Sequence, residues 1–381
     1  FYGHPSRHMS VIGITGTNGK TSCSVLIAQC LEVLGSHPSV IGTIGAGRWG
    51  QLAATSHTTP DAVTLQKQVA RLYESGSDSL VMEVSSHGLE QGRVAGTDIN
   101  IAVFTNLSQD HLDYHGSMQE YGSAKAKLFH QFDLAAAVIN ADDTFGKQLL
   151  ASEASARRIV SYGIQGGDVR AKQVMLDDSG IVLDIDSPWG ELHIDSALMG
   201  RFNVYNLLAS AAVLLVLGHA AQDVASALSA AHSAPGRMEH YHASGLSVIV
   251  DFAHTPDALE QVLKSLREHV PVRKLYCVFG CGGDRDPGKR PQMGAIAENY
   301  ADEVIVTDDN PRHEDAATIR ADIIAGIKGQ VHEIGDRRQA ISSAIDKAQP
   351  GDIVLVAGKG HETTQQVGDM VFPFSDREVV S

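Results

Sequence analysis

Gly13-Ile14-Thr15-Gly16-Thr17-Asn18-Gly19-Lys20-Thr21 lies between a β-branched stretch, Ser10–Thr15, and a helical one, Lys20–Leu34, that stops at Gly35. A glycine-rich turn from strand into helix is what a phosphate group requires. Backbone N–H groups converge on its oxygens, and the helix N-terminus adds a favourable dipole. Gly16, Thr17, Asn18 and Gly19 are then expected to form the cradle, with Lys20 at the β- and γ-phosphates and the Thr21 hydroxyl at magnesium. The leading glycine of the usual pattern would fall on Ile14, so the loop is a variant form.

Outward from this loop, short apolar runs alternate with longer helical stretches. Ser79–Glu83, Ile101–Thr105 and Val138–Asn140 read as strands, which predicts a parallel α/β sheet with helices on both faces. Residues 158–194 alternate in shorter segments, with turns at Gly166-Gly167-Asp168 and Asp177-Asp178-Ser179-Gly180, and read as a small antiparallel β appendage to the first domain. Helices follow over Asn203–Leu217 and Asp223–Ala231. Ser233-Ala234-Pro235-Gly236 breaks the pattern, which puts a domain boundary between residues 1–234 and 235–381. Beyond it the alternation resumes, with strands at Ser247–Asp251, Lys274–Phe279, Glu303–Thr307 and Ile353–Ala357 and a helix at Ala316–Ile327. The expectation is a phosphate-loop α/β domain followed by a Rossmann-like α/β domain.

Composition agrees with two domains and narrows the partners. With 381 residues, 43% hydrophobic and 20% charged, the chain has material for more than one core. A net charge of −15 argues against a nucleic-acid surface, which needs a clustered positive field. Four cysteines in so long a chain make no disulfide framework, and Cys277 and Cys281 lack the spacing of a zinc knuckle. The longest apolar run, Leu207 to Leu217, is too short to span a bilayer, and no signal peptide is visible, so a cytoplasmic monomer without membrane insertion is expected. The chain opens on Phe1 rather than Met and reaches its first strand almost at once, which reads as the loss of something upstream.

Chemistry-bearing residues gather where strands end. Glu83 closes its strand beside the phosphate loop, a place suited to holding magnesium. Asp110-His111 follows the next strand, and Lys125 lies in Tyr121-Gly122-Ser123-Ala124-Lys125. In the second half, Gly280-Cys281-Gly282-Gly283-Asp284-Arg285, Asp308-Asp309-Asn310-Pro311-Arg312 and Ala357-Gly358-Lys359-Gly360-His361-Glu362 each follow a strand. Arginines in such segments suit carboxylates and an acid suits an ammonium.

The loop Gly-Ile-Thr-Gly-Thr-Asn-Gly-Lys-Thr resembles that of the Mur ligase family and of the related folylpolyglutamate synthetases, and the other motifs follow in Mur family order along nearly the whole chain. The resemblance implies an ATP-dependent ligase that joins a UDP-muramoyl dipeptide to meso-diaminopimelate through an acyl phosphate. It implies Lys20, Glu83, His111 and Lys125 as the catalytic set, with Thr21, Glu83, His111 and a CO2-derived carbamate on Lys125 around Mg2+. Asn206 would contact adenine, and Arg237, Asp251 and His254 the rest of the nucleotide. Thr58, Thr59, Ser85, Gln91 and Arg93 would hold the UDP-substrate. Arg285, Asp309, Asn310, Pro311, Arg312, Gly358 and Glu362 would hold diaminopimelate, with Arg312 on the carboxylate that lysine lacks. Two other classes stay open at this point: a folylpolyglutamate- or cyanophycin-type ligase on the same scaffold, and a phosphate-loop motor or switch that would need neither Lys125 nor the arginine group. A third is a relative that binds without catalysis.

Overall fold

A computed structural model describes residues 2–55, 57–152, 155–177, 179–243, 245–269 and 273–381; Phe1 and Asp178 of the expected turn lie outside the described residues. Contacts divide the chain into two compact units. The first comprises Phe1–Met175, Val182–Ser196 and Phe202–Ala231; the second comprises Leu176–Ile181, Ala197–Arg201 and His232–Ser381.

In the first unit the order is β1 (Ser10–Thr15), α1 (Lys20–Val33), β2 (Pro38–Gly42), β3 (Gly45–Arg48), β4 (Gln51–Ala53), α2 (Ala62–Glu74), β5 (Ser79–Glu83), α3 (Ser86–Glu90), β6 (Ile101–Phe104), α4 (Leu112–His115), α5 (Met118–His130), β7 (Ala136–Asn140), α6 (Thr144–Ala151), β8 (Ile159–Gly163), β9 (Val169–Leu176), β10 (Ile181–Asp186), β11 (Leu192–Ser196), α7 (Arg201–Val216) and α8 (Ala221–Ala230). The strands make one sheet in the order β11-β10-β9-β8-β7-β6-β1-β5-β2-β3-β4. From β2 to β8 through β1 every pairing is parallel, and the central strands are buried but for Ser10 at the start of β1, as sheets covered on both faces must be. Parallel pairing brings the carboxyl ends of β1, β5 and β6 to one edge. There the phosphate loop, Glu83 and the Thr105–His111 segment meet.

Two details add to the sequence expectation. The segment from Arg158 is continuous with the main sheet: β8 to β11 extend it, and β9 pairs with β8 in parallel. The short return is pinned by Asp168, whose carboxylate accepts from Ser161 N (2.8 Å) and Oγ (2.7 Å), while Gly167 runs at φ +121° against the Tyr162 backbone. Strands β2 to β4 were not anticipated; Gly-rich Gly45–Arg48 carries no alternation, and β2 is a short apolar run that was passed over. Helix α7 is apolar all round and buried without a break from Leu207 to Leu215, the pattern of a core helix. Among the described residues no helix is long and apolar enough to cross a membrane. All four cysteines are free and buried.

The second unit continues with β12 (Glu239–Ala243), β13 (Leu246–Asp251), α9 (Pro256–Arg267), β14 (Leu275–Phe279), α10 (Lys289–Tyr300), β15 (Glu303–Val306), α11 (Ala316–Ile324), β16 (His332–Glu333), α12 (Arg337–Lys347), β17 (Ile353–Ala357), β18 (Thr364–Val367), β19 (Met370–Pro373) and α13 (Asp376–Val380). Its sheet runs β12-β13-β17-β14-β15-β16, parallel except for β12. β18 and β19 form a separate hairpin. Two apolar layers cover the faces, one built on Leu259, Leu263, Phe279 and Met293, the other on Val278, Ile305, Ile341 and Val356. The Arg337 guanidinium, fully buried, grips Asp376 with two bonds of 2.7 Å and donates a third, of 2.9 Å, to the Ala357 carbonyl. Removing one partner of a buried pair leaves an uncompensated charge, at a cost of about 3–5 kcal/mol. Asp376→Ala is therefore expected to speed amide hydrogen exchange across α12 and α13 strongly. Unchanged protection there would show that the pair does not hold these helices.

Candidate active site

The phosphate loop takes its shape from two glycines with left-handed backbone. Gly16 (φ +148°) passes so close to β6 that a Cβ would overlap the Thr105 hydroxyl. Gly19 (φ +84°) caps α1, and a Cβ there would lie 2.7 Å from Asn206 Oδ1. The loop is tied down by Asn18 N donating to Asn106 Oδ1 (2.9 Å) and Thr105 Oγ1 donating to Asn18 O. Lys20 folds over it, its ammonium donating to Gly16 O (2.9 Å) and Thr17 O (2.7 Å). Asn206, on the buried helix α7, is held by its Nδ2 donating to Asn203 Oδ1 (2.7 Å).

Glu83 is fully buried, and its Oε1 accepts from Thr21 Oγ1 (3.0 Å) and Thr43 N (2.8 Å). Hydrogen bonds also link the residues expected to face the UDP-substrate, through the adjacent Thr58 and Thr59. Thr43 Oγ1 meets Thr58 Oγ1 (3.0 Å); Ser85 N donates to Thr59 Oγ1 (3.0 Å); Arg93 Nη1 donates to Thr59 O (2.8 Å) and Nη2 to Gln91 Oε1 (2.7 Å). Thr43 is the residue that the sequence reading missed. Its signal was available, since Gly42-Thr43 follows an apolar strand just as Glu83 ends one.

Lys125 is buried on α5. Its amine donates to Gly16 O (2.9 Å) and lies 4.3 Å from the centre of the Tyr121 ring, while the Tyr121 hydroxyl meets Thr17 Oγ1 at 3.2 Å. Burial, then the nearby Lys20 cation, pulls the Lys125 amine from its ordinary 10.5 down to about 6. At neutral pH it is a free base. His111 stands at φ +53° at the start of α4, half exposed, with Nε2 3.5 Å from Asp110 Oδ2 and its ring 5.0 Å from that of His87. A non-glycine residue in this conformation is strained and such strain collects at functional sites.

Among the described residues no group of three or more His, Cys, Asp or Glu side chains could hold a metal by itself. Thr21 and Glu83 nevertheless present oxygens beside the phosphate loop. That suits magnesium, which keeps several waters and shares phosphate oxygens rather than demanding a protein cage.

In the second unit, three loops follow the neighbouring strands β17, β14 and β15. Asn310 Nδ2 donates to Glu362 Oε2 (2.9 Å), joining two of them. Arg312, at φ +51°, donates through Nη1 to Gly283 O (2.7 Å), joining the third; a Cβ on Gly282 would lie 2.8 Å from that nitrogen. Hairpin β18–β19 holds this arrangement from outside, through Gln365 Nε2 to Asp309 O (2.7 Å) and Arg312 N to Gln366 O (3.1 Å). Gly358 (φ +117°) leaves room for Asp309, Pro311 continues the turn, and Arg285 stands exposed on the glycine loop. Asp251 accepts from Met238 N and Ala253 N (2.8 Å each), which fixes the turn that carries His254, and the Arg237 guanidinium lies 4.8 Å from the centre of the Phe252 ring.

A phosphate loop at the carboxyl edge of a parallel sheet, together with an acid-and-arginine cluster at the edge of a second, defines an ATP-dependent ligase of the acid–amine type. Comparison with known proteins gives the family. Residues 14–214 match the Mur ligase middle domain and residues 236–360 the Mur ligase, glutamate ligase domain. The chain is 50% identical to the UDP-N-acetylmuramoyl-L-alanyl-D-glutamate–2,6-diaminopimelate ligase of Chromobacterium violaceum, over 99% of this chain and 77% of that protein. A solved structure of a ligase with the same name superposes with a TM-score of 0.76 at 42% identity, covering 98% of this chain and 77% of that one. Folylpolyglutamate synthase of Mycobacterium tuberculosis, at 20% identity and a TM-score of 0.74 over 93% of this chain and 89% of that one, shares the fold alone. The chain belongs to the Mur ligase family, and it is an ATP-dependent ligase that forms an amide bond in peptidoglycan precursor synthesis.

Two expectations follow. Gly16→Ala must add a side chain where Thr105 already lies and at a φ that side chains avoid, so the Kd for ATP should rise at least about tenfold by calorimetry. An unchanged Kd would remove Gly16 from the cradle. For Lys125 the folded amine titrates near 6 and the unfolded one near 10.5, so between these values the unfolded chain binds the extra proton. Stability therefore rises with pH across that window and falls as pH drops toward 6, by up to about 1.4 kcal/mol per pH unit. Urea unfolding of the first unit in CO2-free buffer, followed by its two tryptophans, should show this slope in the native chain and lose it in Lys125→Met.

Proposed function

We propose that the chain joins meso-2,6-diaminopimelate to the free carboxylate of UDP-N-acetylmuramoyl-L-alanyl-D-glutamate, as its 50%-identical relative is named to do. The observation that carries the choice of amino acid is the three-loop cluster. Arg312 offers a guanidinium within the same group of loops as the Glu362 carboxylate, a match for an amino acid with a second carboxylate and a distal ammonium. Arg285, Asp309, Asn310, Pro311 and Gly358 complete this site. Lysine would leave Arg312 without its anion, and a site that loses such a partner discriminates strongly.

In the first unit, Gly16 to Thr21 bind the triphosphate, with Asn206 at adenine. In the second unit, the resemblance assigns Arg237, Asp251 and His254 to nucleotide binding. Thr58, Thr59, Ser85, Gln91 and Arg93 hold the UDP-substrate. The carboxylate of that substrate attacks the γ-phosphorus of ATP, giving an acyl phosphate and ADP. The amine of diaminopimelate then adds to the acyl carbon, and phosphate leaves as the amide forms. Lys20 offsets the charge on the phosphates during this transfer. Magnesium, held by Thr21, Glu83 and His111, would supply positive charge against the repulsion between carboxylate and triphosphate. Lys125 supplies a neutral, buried amine, the form able to take up CO2 as a carbamate; the depressed basicity supports this reading. Residues 1–234 thus form the ATP-binding domain and 235–381 the amino-acid-binding domain of a cytoplasmic monomer, whose −15 charge supports the absence of a nucleic-acid partner.

The deciding assay is phosphate release from ATP with the UDP-dipeptide, comparing meso-diaminopimelate with L-lysine. Stimulation by diaminopimelate alone is expected, and Arg312→Ala should lower kcat/KM for it roughly a hundredfold. Stimulation by lysine would overturn the specificity, and a pterin-dependent activity would overturn the substrate class. Stripping bicarbonate should suppress activity reversibly, and 13C-bicarbonate should give a carbamate resonance that Lys125→Met lacks.

A further inference from the structure

Lys359 is fully buried at the end of β17, in a loop where the flanking glycines Gly358 (φ +117°) and Gly360 (φ +52°) both adopt left-handed backbone. A lysine in such a place must be paired, because an isolated ammonium out of water is costly. Its Nζ donates to Glu362 Oε2 at 3.0 Å and to Asn310 Oδ1 at 3.0 Å. Asn310 in turn donates from Nδ2 to the same Glu362 oxygen, at 2.9 Å. The three side chains therefore form a closed triangle.

Two consequences follow from donor and acceptor chemistry alone. Both neighbours of the Asn310 oxygen, Lys359 Nζ and Gln366 N (3.0 Å), are obligate donors, so the amide can face only one way. Its NH2 is thereby forced toward Glu362. Second, both bonds to Glu362 fall on Oε2. One oxygen of the carboxylate is thereby locked by two donors, and Oε1 is the oxygen placed to accept from a substrate.

We propose that Lys359 is a positioning residue of the amino-acid site: it fixes the Asn310 amide and the Glu362 carboxylate so that Glu362 Oε1 receives the ammonium of the incoming amino acid. The inference rests on the reading of the three-loop cluster as that site. Lys359 itself touches no substrate. Lys359 is the buried member of this pair and Glu362 the half-exposed one, so the carboxylate keeps a face toward solvent while its inner oxygen is held.

The test is a double-mutant cycle on the full chain with Lys359→Met, Glu362→Gln and the double variant, measuring KM for each substrate and kcat. Lys359→Met is expected to raise KM for diaminopimelate roughly tenfold or more, the scale of a lost charge-assisted bond, with KM for ATP and for the UDP-dipeptide within about twofold. Because Lys359 acts through Glu362, the double variant should be no worse than Glu362→Gln alone. The double variant removes the buried Lys359 together with the half-exposed carboxylate it faces, so it keeps the question answerable if Lys359→Met alone does not fold. Multiplying effects would overturn the proposal, as would an unchanged KM for diaminopimelate or an equal rise for all three substrates. If instead the native enzyme fails to use diaminopimelate at all, the assignment of the site falls, and that is read separately from the native assay.

Discussion

The bond from the Lys125 amine to the Gly16 carbonyl is the contact around which the first unit's site is arranged. It joins helix α5 to the phosphate loop, and three features accompany it. Gly16 lacks a side chain, where a Cβ would strike Thr105. The Tyr121 ring and the surrounding core bury the amine. That burial, and then the nearby Lys20 cation, favours the neutral amine. A loop built for anions thus keeps a reactive amine on its inner side. The sheet makes this possible: only parallel pairing of β1 with β5 and β6 delivers glycine loop, buried acid and His111 segment to the same edge.

The second unit solves a similar problem by other means. Its loops follow β17, β14 and β15, side by side in the sheet, and are locked by charge rather than by a single helix. Arg337 is buried against Asp376 beneath the ends of two of them, and Arg290 holds Glu314 (2.8 Å) beside the glycine loop. Hairpin β18–β19 closes the group from outside. The result is a rigid array of cations and anions in which few side chains are free to turn. Rigid first contacts of this kind discriminate between similar amino acids better than mobile ones do.

Much of this was legible from the chain. The strands at Ser10, Ser79, Ile353 and their neighbours were readable because buried parallel strands are continuous apolar runs bounded by glycine and acid. Strands β3 and β4 and the β18–β19 hairpin were not, since Gly45–Arg48 has no alternation and Met370–Pro373 is exposed apolar sequence without a core signal; β2, a short buried apolar run, was readable but passed over. The parallel pairing of β9 was hidden because it depends on one aspartate, Asp168, bonding back to Ser161. For the sites, motifs marked the segments but not the conformations. No sequence pattern announces that His111 and Arg312 sit at positive φ, or that Thr43 bonds to Glu83 across forty positions. Lys359 stood in plain view within Gly-Lys-Gly, yet only its burial distinguishes it from a surface lysine.

The four thiols carry a practical consequence. Cys23, Cys30, Cys277 and Cys281 are all enclosed, and burial pushes each up to about 12, so almost none is thiolate at neutral pH. Only the thiolate attacks maleimides or peroxide readily. To such reagents the folded chain behaves as though it held no cysteine. A single cysteine introduced at an exposed position such as Lys172 would be the one reactive handle, ready for a dye or spin label without stripping the native residues first.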